Sequence, residues 1–283
     1  MTPRLTPLSG GISAGSFEYL RRLMLRRTGT ELEPGKEYLV EARLFAVATR
    51  EGFGSAGALL EGLQTEEEWG ALHRKVAEAM LNCETSFFRD LYPFEALRDV
   101  ILPELIERRG STRTLNLWCA AVSSGQEAYS IAMMLSEHFP RLAGWKLRLI
   151  ASDVSESILE RARTGVFGHV EINRGLPARL LVKFFERVDT QWRIGEFARR
   201  MVEFQQINLA GAWPMLPPMD IILLRNVLLY FGPETRASVL SKVGQLLKPD
   251  GYLFMGGGET SLYSDRSFES VRIAKATCYR PRG

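Results

Sequence analysis

One acidic residue, Asp153, stands where a nucleoside-binding site would need it, and a second, Glu127, lies just after a small-residue loop. Asp153 closes the run Leu147-Arg148-Leu149-Ile150-Ala151-Ser152. Glu127 follows the small-residue loop Ala120-Ala121-Val122-Ser123-Ser124-Gly125-Gln126, which itself follows the apolar run Leu115 to Cys119. In a doubly wound sheet the ligand lies at the carboxyl ends of the strands, and a carboxylate at the tip of the second strand accepts hydrogen bonds from ribose hydroxyls. Small residues in the first loop let the backbone come close to that ligand. The loop has no G-x-G-x-x-G, so a nucleoside without phosphates suits it better than a dinucleotide. Plainer readings stand beside these. The loop serves equally as a turn, Asp153 or Ser155 as the N-cap of a helix carrying Ile158, Leu159 and Ala162, and Glu127 as a first-turn acid favoured by the helix dipole.

The rest of the titratable inventory is sparse. His73, His138 and His169 are far apart and read as surface or satisfied residues, and Cys83, Cys119 and Cys278 show no metal-ligand spacing. An odd cysteine count argues against a disulfide framework and for a reducing compartment. Neither a Ser-His-Asp nor a Cys-His set is legible. The 36 basic and 33 acidic residues leave a net charge of +3, too even for a protein that coats nucleic acid. No N-P-P-Y-type motif follows Asp220, which also disfavours nucleic-acid methylation. The segment Met1 to Gly15 is polar and small, without a signal-peptide core. The most apolar stretch, Ile221 to Phe231, is broken by Arg225-Asn226 and falls far short of a membrane span. These features predict a cytoplasmic protein that neither inserts in the membrane nor binds nucleic acid.

The elements that must position these residues divide the chain. Phe17, Leu20, Leu23 and Met24 fall at helical spacing, with Ser16 as the expected N-cap and Gly29 as the stop. Further helices are expected over about 36–50, 55–64 and 66–81, with no strand signal before Thr114. Residues 1–82 are thus expected to form an all-helical N-terminal domain. After a helix from Phe94 to Arg109, apolar runs alternate with helical patterns: 115–119, 147–151, 202–204, 221–224 and 252–255, with helices at about 126–138 and 233–247. This is the pattern of a doubly wound α/β sheet. Ala276 to Arg280 reads as a last, antiparallel strand. Residues 83–283 form the expected sheet domain, with a small β-subdomain inserted at about 186–203 and Gly195 in its hairpin turn.

Several motifs together closely resemble the chemotaxis receptor methyltransferases of the CheR family. They are Cys83-Glu84-Thr85-Ser86-Phe87-Phe88-Arg89-Asp90, the loop and helix start from Ala120 to Ala132, Ala151-Ser152-Asp153, Asn208-Leu209, Arg225-Asn226-Val227-Leu228-Leu229-Tyr230-Phe231, and Leu247-Lys248-Pro249-Asp250-Gly251. Their order and spacing match from about Phe17 to Glu259. The resemblance implies a Rossmann-like S-adenosylmethionine-dependent methyltransferase sheet that produces S-adenosylhomocysteine. It implies methyl transfer to glutamate side chains on the cytoplasmic helical domain of chemoreceptors, by an enzyme expected to be monomeric. The cofactor residues it implies are Asn82, Cys83, Thr85, Arg89, Glu127, Asp153, Asn208, Leu209, Arg225 and Asn226, with Arg89 and Tyr230 at the methyl-transfer site and no metal. Glu127 would hold the methionine or ribose part, Asp153 the ribose hydroxyls, and Asn208 and Leu209 the adenine.

The sequence departs from the family pattern in three places. The family's Asn two residues before the Thr of T-x-F-F-R is Cys83 here, with Asn82 one residue earlier. G-E-E-P is Gly125-Gln126-Glu127-Ala128, and G-H-S-E is Gly256-Gly257-Gly258-Glu259. These departures keep a second class in view, a non-catalytic signalling module that binds the cofactor or its product. Phe87 and Phe88 read as core residues packing the domain junction. Arg21, Arg22, Arg26, Arg27, Arg43 and Arg50 either form solvated helix faces beside nearby acids or, as the resemblance implies, face an acidic receptor. The short hairpin region Asp189 to Arg200 suggests a member that does not need a receptor tether peptide.

The implied chemistry explains what the chain lacks. A glutamate carboxylate is ionised at neutral pH, so this nucleophile needs no general base. Positioning and charge are what remain for the protein to supply. Arg89 would hold the carboxylate by charge-assisted hydrogen bonds, and Tyr230 would orient it through its hydroxyl.

Overall fold

The computed structural model describes residues 11–66, 69–259 and 267–282. Most of the N-terminal segment screened for a signal-peptide core, and residues 67 and 68 of the helix expected at 66–81, lie outside the described residues; that helix begins at Ala71 rather than at 66. The chain divides into two compact units, one of residues 1–82 with 230–232, the other of 83–229 with 233–283.

The first unit is helical: α1 (Ala14–Thr28), α2 (Glu37–Arg50), α3 (Ala56–Leu63) and α4 (Ala71–Met80). Phe17, Leu20, Leu23 and Met24 of α1 bury their predicted face against Val40 and Leu44 of α2, Leu59 and Leu60 of α3, and Val76 of α4. The helix starts earlier than expected. Ser13 is the N-cap and its Oγ accepts from Ser16 N at 3.1 Å, while Ser16 itself is buried. Gly29 ends α1 at φ 76°, a left-handed stop that suits glycine. The basic residues are partly committed: Arg21 pairs with Glu18 and donates to Leu32 O, Arg43 donates to Met80 O, and Arg27 lies over the Trp69 ring. The segment after Leu229 joins this unit through an antiparallel bridge between Thr30 and Phe231.

The second unit runs α5 (Tyr92–Ala96), a π turn (Leu97–Ile101), α6 (Leu102–Arg108), β1 (Thr114–Ala120), α7 (Gln126–His138), β2 (Lys146–Asp153) and α8 (Glu156–Thr164). It continues with β3 (Val166–Phe167), α9 (His169–Asn173), α10 (Ala178–Phe184), β4 (Phe185–Val188), β5 (Gln191–Ile194), α11 (Glu196–Met201) and β6 (Val202–Gln206). It closes with β7 (Met219–Leu224), α12 (Pro233–Leu246), β8 (Leu247–Met255), β9 (Phe268–Ile273) and β10 (Ala276–Pro281). The seven-stranded sheet has the order β6-β2-β1-β7-β8-β10-β9. Its first five strands are parallel and β10 returns antiparallel. This is a Rossmann-like sheet. Its strand order reverses between β1 and β7, where such sheets bind their ligands.

Three local expectations change. The single helix expected over 94–109 is interrupted by the π turn, next to Pro103, which cannot donate to the carbonyl four residues back. The small sheet is three-stranded, order β3-β5-β4, and starts at Val166 rather than near 186. Its hairpin turns at Asp189-Thr190, with Asp189 at φ 54°, while Gly195 instead starts α11. Among the described residues no helix is long and apolar enough to cross a membrane.

Candidate functional site

The register of the parallel strands brings the chemistry-bearing residues to one edge. Ala120 lies beside Ser152 and Leu224, Asp153 beside Gln206, and Leu224 beside Met255. The residues just past the tips of β1, β7 and β8 are Ala121, Arg225 and Gly256, and Asn208 is the second residue past β6.

The loop from β1 to α7 carries unusual backbone. Ala121 (φ 56°), Ser123 (φ 54°) and Gly125 (φ 95°) alternate in the left-handed region. Each such non-glycine residue costs about 1–3 kcal/mol and must be held by its surroundings. Asp153 supplies part of that hold. Its Oδ2 accepts from Ser123 N at 2.8 Å and its Oδ1 from Ser155 N at 3.1 Å. Ser155 is the N-cap of α8, accepting from Ile158 N at 3.2 Å. Asp153 therefore braces the loop and leaves the helix cap to its neighbour.

Glu127 and Arg225 form the charged centre. Both are buried, and Arg225 Nη1 lies 2.6 Å from Glu127 Oε2. Burial pushes the Glu127 carboxyl above the usual carboxylate range, and the Arg225 charge opposes that push. Arg225 Nη2 donates to Arg89 O and to Asp90 Oδ2, both at 2.8 Å. One guanidinium thus ties the first-turn acid of α7 to the T-x-F-F-R segment. Its Nε is buried with no hydrogen-bond partner among the described residues. Burial also drives the Cys119 thiol far up, so this cysteine is inert beside the site.

The T-x-F-F-R segment is pinned along its length. Cys83 O accepts from Ser123 Oγ at 2.6 Å, and Phe88 N donates to Ser130 Oγ at 3.0 Å. Phe87 is fully buried, edge-on to Phe167 at 5.0 Å and Phe185 at 5.7 Å, so it packs on the small sheet. Phe88, Asp90 and Leu91 all have positive φ. Thr85 and Arg89 are half-buried on this segment. Arg89 Nη1 donates to Glu84 O at 3.0 Å, and its guanidinium makes no ion pair with Asp90, Glu95 or any other described carboxylate.

Glu259 lay outside the predicted set and organises the β7 tip. It is buried, and it accepts from Asn226 N (2.8 Å), Leu228 N (2.7 Å) and Gly256 N (2.6 Å). These bonds hold Asn226 at φ 60°. A Cβ on Gly256 would come within 2.6 Å of Asn226 Nδ2, so that glycine is required by close approach. At Gly257 and Gly258 a Cβ would meet nothing within 4 Å. The retained Glu of the G-H-S-E position was the sequence signal for this role.

Past β6, Asn208 Oδ1 accepts from Ala210 N at 3.0 Å, and Leu209 is buried. Leu209 O accepts from Trp213 Nε1 at 3.1 Å and from Lys242 Nζ at 2.7 Å, which folds the β6–β7 loop onto α12. Trp213 packs edge-on against Trp118 at 5.0 Å. No spacing rule pointed to Trp213 or Lys242. Asn82 and Tyr230 belong to the helical unit, where Asn82 Nδ2 donates to Tyr230 Oη.

The donor and acceptor set suits S-adenosylmethionine. A sulfonium amino acid joined to a nucleoside needs acceptors for its ammonium and ribose hydroxyls, donors for its carboxylate, and apolar walls for adenine. Glu127 has one oxygen on Arg225, and no described donor reaches the other. The unpartnered Arg225 Nε is a buried donor, Asp153 is an acidic acceptor, and Ile207 and Leu209 are buried apolar neighbours of Asn208.

Residues 83–277 match the family model described as CheR methyltransferase, SAM binding domain. The chain is 35% identical over 270 residues to Chemotaxis protein methyltransferase 1 of Pseudomonas aeruginosa, covering 94% of this chain and 97% of that one. It is 34% identical to Chemotaxis protein methyltransferase Cher2 of Pseudomonas putida, covering 94% and 98%. It is 35% identical to the Chemotaxis protein methyltransferase of Vibrio parahaemolyticus, covering 95% and 98%.

Proposed function

The chain belongs to the CheR methyltransferase family, uses S-adenosylmethionine and methylates in chemotaxis, and from this premise we propose that it forms methyl esters on glutamate side chains of chemoreceptor cytoplasmic helices. The observation that carries the acceptor assignment is Arg89. It is a half-buried guanidinium without a described carboxylate partner, on a segment that Arg225 ties to Glu127. A cation so placed is ready for an incoming carboxylate.

Bound S-adenosylmethionine supplies an electrophilic methyl, so that an oxygen–methyl bond forms as the sulfur–methyl bond breaks and no proton moves. The protein's residues hold and orient. Asp153 takes the ribose hydroxyls while bracing the loop behind it. Glu127, kept charged by Arg225, takes the ammonium. Asn208 and Leu209 frame the adenine, and Cys83, Thr85, Arg225 and Asn226 border the methionine part. Arg89 binds the acceptor carboxylate and Tyr230 orients it by donating its phenolic hydrogen. Attack neutralises two opposite charges, so excluding water lowers the barrier, provided the carboxylate stays oriented. The enzyme works as a cytoplasmic monomer on this reading.

The test is transfer of tritiated methyl from the cofactor to purified receptor fragments. Label released as methanol by mild base is the expected result. Cofactor binding with no transfer to any fragment would instead leave a signalling module.

A further inference from the structure

We propose that Lys242 is a positioning residue for the cofactor's adenine, acting through the β6–β7 loop on the amide of Asn208. The inference rests on the adenine place proposed above for Asn208 and Leu209. Asn208 stands in a segment that has no helix or strand between β6 and β7. The start of that segment is fixed to the β2 tip, since Ile207 N donates to Asp153 O at 3.0 Å. Further on, Lys242 of α12 binds the loop twice, its Nζ donating to Leu209 O at 2.7 Å and to Gly211 O at 2.8 Å. The same ammonium lies 4.5 Å from the centre of the Trp213 ring. Trp213 Nε1 donates to Leu209 O as well, at 3.1 Å, and its ring meets Trp118 edge-on. Trp118 Nε1 in turn donates to Ser152 Oγ at 2.9 Å, next to Asp153. The places proposed for ribose and adenine are thus joined through one series of contacts.

Lys242 is half-buried, and no described carboxylate pairs with it. Burial pushes its ammonium below the ordinary lysine value, and no opposite charge offsets that push. Two carbonyls and an aromatic face hold the cation instead. The peptide unit between Leu209 and Ala210 carries the consequence. Its carbonyl accepts from Lys242 and Trp213, and its N–H donates to Asn208 Oδ1 at 3.0 Å. A cation on the carbonyl oxygen polarises the peptide and makes that N–H a stronger donor, since linked hydrogen bonds strengthen one another. The Asn208 oxygen is thereby committed to the loop, which leaves the amide one orientation of its two. An amide sorted in advance meets the base without first having to turn, and such preorganisation is read as affinity.

The closing experiment is a double-mutant cycle in the full-length protein, with Lys242→Met, Asn208→Ala and Lys242→Met/Asn208→Ala. Affinity for S-adenosylhomocysteine comes from calorimetry, kcat and the KM of each substrate from tritium transfer to a receptor fragment, and folding from thermal unfolding. Lys242→Met keeps the length of the side chain without its charge. It should weaken S-adenosylhomocysteine binding by about tenfold, the lower end of what a hydrogen bond to a charged group is worth. Asn208→Ala should weaken it by a similar factor. Adding Lys242→Met to Asn208→Ala should cost less than about twofold more, because both act through one amide. In turnover, Lys242→Met should raise the KM for S-adenosylmethionine and leave kcat and the receptor KM unchanged, the mark of an interaction made equally in ground and transition states. A lysine that only stabilised α12 would lower the unfolding temperature and leave the cofactor KM as it was. That result, a full tenfold loss in the Asn208→Ala background, or a fall in kcat equal to the rise in KM would overturn the Lys242 role alone. Unchanged affinity in Asn208→Ala would overturn the adenine placement and this proposal with it. A base-stable methyl product from the unmodified enzyme would overturn the glutamate reading, while the calorimetric cycle, which needs no acceptor, still decides for or against Lys242.

Discussion

Replacing Arg225 with methionine removes the only cation within hydrogen-bonding reach of the buried Glu127 among the described residues. It also removes the donor to Arg89 O and Asp90 Oδ2. Breaking a buried ion pair from one side costs about 3–5 kcal/mol, because the other charge remains buried and uncompensated. Glu127 can escape that cost only by taking up a proton. Its carboxyl is already raised above the usual carboxylate range by burial, with Arg225 opposing. Losing Arg225 raises it further. An acid whose folded pKa is raised binds protons more tightly when folded, so stability falls as pH rises from the ordinary carboxylate pKa through the folded one. The deficit of Arg225→Met should therefore be about 3 kcal/mol or more at pH 8, and should shrink as the pH is lowered towards 5. Urea unfolding at both values, read as midpoint times slope, measures this. Glu127→Gln placed on Arg225→Met should recover a large part of the loss at pH 8 and little at pH 5. Equal deficits at the two pH values, unrelieved by Glu127→Gln, would refute the reasoning that Arg225 keeps a buried carboxylate charged.

Three further outcomes follow from the same structure. Asp220 is fully buried at the amino end of β7, accepting from Arg109 Nε (2.8 Å), Lys248 Nζ (2.9 Å) and Asn116 N (2.9 Å). Asp220→Asn should cost about 3 kcal/mol of stability in thermal unfolding while leaving cofactor affinity unchanged, since the ligand edge is at the other end of the strand. Gly125→Ala places a Cβ at φ 95° and 3.2 Å from Ala162 Cβ and the Tyr129 ring. It should destabilise by about 1–3 kcal/mol and weaken cofactor binding in calorimetry. Glu259→Gln leaves one of three converging amides with a poorer acceptor and should weaken S-adenosylmethionine binding by about tenfold, with secondary structure unchanged by circular dichroism.

Much of this molecule is legible from local rules. The apolar periods of α1, α7 and α12 and the apolar runs of β1, β2, β7 and β8 give the elements and their order, because burial of one face writes itself directly into spacing. Edge strands are fainter. β9, at the sheet margin, keeps Glu269, Ser270 and Arg272 exposed, and β3 has two residues, so neither produces a clear run. Caps shift by a turn because Ser13 and Ser16 are both capable, and packing of Ser16 into the core decides between them.

At the candidate site the division follows range. The sequence alone determined that acids stand after β1 and β2, that an R-N-V-x-x-Y run follows β7, and that no nucleophile-activating set is present. Those are properties of residue type and spacing along one segment. Only the tertiary structure decided which charge meets which. Arg225 reaches Glu127 across 98 residues and Arg89 O across 136, and Glu259 gathers amides from the β7 and β8 tips. Asn82 meets Tyr230 across 148 residues. Such pairings depend on strand order and on left-handed backbone at Ser123 and Asn226. A buried charge is stable only with its partner in place, so the fold, not the local sequence, assigns each of these side chains its work.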